Sequence, residues 1–123
     1  MRNSLKKYLL SALFATLLAA PLPIFAANTN MTPMQAAAHQ LQSDLHQALE
    51  QSSFNARQRY HLSQDAAVLV QAADRRAQGR RMDRRELRNS AKALLKAFDS
   101  GSFQVGDVGM LNNDFNQFKH SIR

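Results

Sequence analysis

The sequence predicts an all-α fold: a small antiparallel bundle of about four helices that follows a cleaved signal peptide. Three observations predict it. Apolar residues recur at three- and four-residue intervals in four separate segments, which is the spacing of one buried helical face. No segment sustains the two-residue alternation of a half-buried strand. Short connections rich in helix start and stop residues separate the segments, as in an up-and-down bundle. The expected helices span 33–51, 55–78, 83–99 and 107–121, in a single domain covering 33–123.

The chain opens with "MRNSLKKYLLSALFATLLAAPLPIFAA". Arg2, Lys6 and Lys7 form a basic start, and Tyr8 to Ala20 an apolar run. Pro21 and Pro23 then break it before a site of small residues, the pattern of a secretory signal peptide. Cleavage after Ala26 places Ile24 rather than the bulkier Phe25 at the −3 position. The apolar run is shorter than the ~20 residues a membrane-spanning helix needs. Residues 1–26 are therefore expected to be removed, with 27–32 a flexible leader. The expected compartment is the periplasm, with the extracellular space as the alternative.

Thr32, Pro33 and Gln35 carry the capping signals of the first helix, whose stripe is Met34, Ala37, Leu41, Leu45, Ala48 and Leu49. Ser53 or Asn55 is expected to cap the second, with Phe54 as a hydrophobic staple. Its stripe is Leu62, Ala66, Leu69, Val70, Ala73 and Ala77, and Gly79 suits the position just past its end. A second start signal at Ser63 leaves open a division of this helix. Asp83 is the expected cap of the third helix, with Glu86 three residues on and a stripe of Leu87, Ala91, Leu94, Leu95 and Phe98. Phe103 and Val105 are expected to plug the core. Asp107 is the expected cap of the fourth helix, with Val108, Leu111, Phe115, Phe118 and Ile122 as its buried face.

The chain has no cysteine, which excludes a disulfide framework, a thiolate metal site and a cysteine nucleophile. Loss of 26 of the 123 residues leaves 97, a domain that buries only ~60–65% of its unfolded surface. No phosphate-cradling glycine loop or nucleophile elbow is present, so neither an enzyme nor a cofactor is expected. His39 and His46 lie seven residues apart, about 10 Å along a helix at ~1.5 Å per residue. That is too far to share one metal ion. His46 and Glu50 form a solvated polar pair, and no metal is expected. The methionines show no clustered thioether motif and are expected to fill core or loop. Phe98, Phe103, Phe115 and Phe118 are expected to be core rather than a ligand groove.

Charge is the distinctive feature. Residues 74–88 hold seven arginines and no lysine. Residues 75–96 hold nine cations and two acids, while the rest of the chain after Ala26 is net acidic. Arg75 and Arg76 suit the C-terminal end of a helix dipole, but Arg84 and Arg85 occupy a first turn, where the dipole disfavours cations by ~0.3–1 kcal/mol each. Arg84, Arg88, Lys92 and Lys96 follow one another at four-residue spacing, where like charges repel. Folding alone does not favour that arrangement. One reading is a solubilising face paired to Asp44, Glu50 or Asp65. The other is a docking face for an anion, made of Arg80, Arg81, Arg84, Arg85, Arg88, Lys92 and Lys96, in which arginine forks suit carboxylate or phosphate.

An exported address argues against nucleic acid as the ordinary partner, and no recognition-helix or aromatic RNA-binding motif supports it. The expected function is that of a small exported interaction protein that binds an envelope protein or client partly through this basic face. The alternative is a binder of anionic envelope lipids or cell-wall polymers through the arginine-rich tip between the second and third helices.

Overall fold

The computed structural model describes residues 30–122, so the expected signal peptide (1–26) and the first half of the expected leader lie outside the described residues. Within them the chain forms four helices and no strand: α1 (Pro33–Glu50), α2 (Ala56–Ala77), α3 (Arg84–Phe98) and α4 (Val105–Ser121). No described helix is long and apolar enough to cross a membrane.

Local chemistry sets most boundaries. Thr32 accepts from the Gln35 N–H at 3.1 Å, and the Gln35 side chain accepts from the Thr32 N–H at 3.0 Å. This reciprocal box satisfies two backbone donors that the helix leaves orphaned. Asn55 and Gln58 repeat the same box at the start of α2, so Asn55 rather than Ser53 is the cap. The expected staple is replaced by tertiary packing: Phe54 is buried edge-on against Phe103, with ring centroids 5.1 Å apart. α2 runs unbroken through Ser63. Its end is a Schellman turn, in which Arg80 and Gly79 donate to the Arg75 and Arg76 carbonyls and Gly79 takes φ +75°. Asp83 caps α3 by accepting from the N–H groups of Arg85 and Glu86.

The start of α4 departs from expectation. Gln104 is the cap residue, but its side chain does not cap; its amide donates to the Gln51 carbonyl at 3.1 Å instead. Asp107 therefore sits inside the first turn, where its charge still favours the helix dipole. A tertiary tie between two loops overrides a local preference. The same shift leaves Val105 89% exposed as the first helical residue, so only Phe103 plugs the core.

α1 is the hub. It packs on α2 and on α4, α2 packs in turn on α3, and α3 and α4 touch far less than these pairs do. At one end, Ser53 donates to the Ser102 carbonyl and joins the α1–α2 loop to the α3–α4 loop. At the other, Arg76 donates to the Ile122 carbonyl and Gln35 to the Asp74 carboxylate. The core holds Leu41 and Leu45 from α1, Leu69 from α2, Leu94 and Phe98 from α3, and Leu111 and Phe118 from α4. Several stripe positions differ from the sequence reading, and Leu87, Ala91, Val108 and Ile122 are only partly buried. Ala38 is buried and Ala37 only partly so, and Ala77 and Leu95 are exposed. Ser90 takes a buried place on α3, facing Asp65 of α2.

Candidate functional site

The weak α3–α4 contact leaves an open groove of about 240 Å³. Its floor is apolar: Met82, Leu87 and Ala91 from the α3 side, and Phe115, Phe118 and Ile122 from α4. Its rim is cationic, with Arg84 and Arg88 on one side and Lys119 on the other. Helical periodicity builds this arrangement. Arg84, Leu87, Arg88 and Ala91 share one flank of α3 at three- and four-residue spacing, and Phe115, Phe118, Lys119 and Ile122 do the same on α4.

The floor is anchored by a run of phenylalanines. Phe54, Phe103, Phe98, Phe115 and Phe118 contact one another in sequence, with centroid separations of 5.1 to 6.5 Å. All five are buried, as expected of core residues, and the last two also surface in the groove. A rigid aromatic ladder thus supports the site from the far end of the bundle.

The rim cations are uncommitted. All seven residues of the expected basic face are exposed. Among the described residues, the ion pairs are His39 with Asp74 and His46 with Glu50, both at 3.9 Å. The pairing of the basic face with Asp44, Glu50 or Asp65 does not form. Asp44 accepts from the Gln40 amide, Glu50 faces His46, and Asp65 faces Ser90 and His61. Arg80 reaches only the Gln78 side chain, at 3.4 Å.

The basic face divides on folding. Arg84 and Arg88 reach the groove. Arg80 and Arg81 lie in the α2–α3 connection, and Arg85, Lys92 and Lys96 lie on α3 outside the groove lining. Lys119 is the member that the sequence reading missed. Its signal was present, since it follows Phe115 by four residues and so flanks the apolar stripe of α4.

A second polar feature was invisible in the sequence. Asp114 of α4 is 7% exposed, and its Oδ2 atom is buried without a hydrogen-bond partner. Burial, with a hydrogen bond to Asp44 and repulsion from it, raises the Asp114 carboxyl to about 7. The two residues are 70 positions apart, and only the α1–α4 packing brings them together. No cluster of three or more metal-ligating side chains occurs among the described residues.

Comparison of the chain with protein-family models, with curated proteins and with solved structures finds no match.

Proposed function

We propose that this chain is a helical docking protein whose α3–α4 groove takes an acidic, amphipathic segment of a partner protein. One observation carries the reading: three cations with no acidic partner flank an apolar floor that the bundle leaves uncovered. The floor offers hydrophobic contact, and the rim offers charge-assisted hydrogen bonds to carboxylates on either side of an apolar anchor. At about 240 Å³ the groove falls below the ~300–1,000 Å³ of sites that enclose small molecules. It suits one or two anchor side chains of a longer segment. Single-stranded nucleic acid would call for a continuous cationic track with stacking rings, whereas here the rings are buried and the cations flank an apolar strip. In this function the chain acts after export and loss of residues 1–26, in the periplasm or outside the cell, without catalysis, metal or cofactor.

A peptide array tests it. The chain should select segments that place a Leu, Ile or Phe beside Asp or Glu. Replacing Arg84, Arg88 and Lys119 together with Gln should weaken those peptides by one to two orders of magnitude, at roughly 1 kcal/mol per lost partly exposed pair. Binding should also weaken with added salt. Selection of apolar peptides without acids, or unaltered binding by the triple variant, refutes the reading. Binding to anionic vesicles that the triple variant loses, with no peptide selected, favours the lipid alternative.

A further inference from the structure

The valley between α1 and α2 differs in kind from the α3–α4 groove. Because α1 and α2 each pack on the other and on one further helix, this valley opens on the opposite side of the bundle. Two adjoining depressions, of about 340 and 250 Å³, share His46 and Ser63 and form one trough. Its walls set hydrogen-bonding groups, the Gln42 and Gln47 amides, the Ser63 hydroxyl and the His46 imidazole, among the apolar side chains of Leu45 and Ala66. No hydrogen bond among the described residues ties down the Gln42, Gln47 or Ser63 side chain, whereas Gln35, Gln40, Gln58 and Gln104 are all spent within the chain. The charges along the trough are already engaged. Glu50 faces His46, and the Arg59 guanidinium donates to the Phe54 carbonyl at 2.6 Å. Tyr60 lies along one of the depressions. It is 61% exposed, and its ring is held edge-on to His61 at 5.7 Å.

We infer that the α1–α2 trough is a second binding site, for a neutral oligosaccharide whose sugar ring stacks on Tyr60. The chemistry selects this class. Neutral amide and hydroxyl walls match a ligand dense in hydroxyl donors and acceptors. An exposed, laterally braced aromatic ring offers a face to the C–H side of a pyranose, while its hydroxyl stays in water. A phosphate or carboxylate ligand would call for net positive charge, and here the one arginine, Arg59, is offset by Glu50 in the same lining. A lipid chain would call for a continuous apolar trench, and here amides and a hydroxyl interrupt the apolar lining of Leu45, Leu49 and Ala66. The site does not depend on the α3–α4 groove, and its failure would leave that groove untouched.

Tyr60 also provides the readout. The chain has no tryptophan, and its other tyrosine is Tyr8. Titration with N-acetylglucosamine and glucose tetramers is followed by tyrosine fluorescence and by amide chemical shifts. The expected result is saturable binding of at least one tetramer, with shifts at Gln42, His46, Gln47 and Tyr60. Tyr60→Phe should keep the binding, Tyr60→Ala should weaken it by about three- to tenfold, as loss of one stacking contact implies, and Arg84→Gln should leave it unchanged. The proposal is overturned if neither tetramer saturates by about 10 mM, if the shifts map away from the trough, or if a correctly folded Tyr60→Ala chain binds as tightly as the parent.

Discussion

Replacing Asp114 with Asn should stabilise the chain, and the amount should depend on pH in a stated direction. In the folded state the Asp114 carboxyl titrates near 7, against 3.8 for an unhindered aspartate. Between those values the folded chain holds a proton that the unfolded chain has released. Stability therefore falls as pH rises through that window and levels off above about 7. At ~1.4 kcal/mol per pH unit, the full loss is on the order of 4 kcal/mol. That is a large part of the ~5–15 kcal/mol that holds a typical domain together. Asn cannot ionise, yet its amide can still donate to Asp44 as the protonated acid does. Urea denaturation followed by helical circular dichroism, at about pH 5 and about pH 8, reads the effect. The variant should exceed the parent by ~1–2 kcal/mol near pH 5 and by ~4 kcal/mol near pH 8. A parent whose stability is flat or rises between those values refutes the argument, as does a variant less stable than the parent near pH 8.

Other substitutions follow from the same structure. Asn55→Ala removes the side chain that accepts from the Gln58 N–H, and should cost ~1 kcal/mol in urea denaturation. Gly79→Ala meets nothing within 4 Å but places a Cβ at φ +75°, so thermal denaturation should show a loss of ~1–2 kcal/mol from backbone strain alone. Leu69→Ala empties a fully buried position and should cost ~2–5 kcal/mol, with the higher figure if the bundle does not collapse around the cavity. Lys92→Gln relieves repulsion from Arg88 and Lys96, both exposed, and should raise stability by a few tenths of a kcal/mol at low salt. That gain should vanish in about 1 M salt, where screening acts within ~3 Å.

The helices were legible from residue order because their causes are local. Caps at Thr32, Asn55 and Asp83, the left-handed turn at Gly79 and the three- and four-residue stripes each act within a few positions. Residue order alone also carries the signal-like opening, the absence of cysteine and the gathering of arginine at one hairpin. What lay beyond it depends on which helix faces which. The Gln104–Gln51 bond ties the start of α4 to the end of α1, and Leu95 is left exposed on α3. The thin α3–α4 contact opened the groove and brought Lys119 across from Arg84 and Arg88. Asp44 and Asp114 met because α1 is the hub of the bundle. Helix propensity and capping are short-range terms, whereas groove shape, ion pairing and the burial of a carboxyl are set by the packing partner, which no single stretch of the chain specifies.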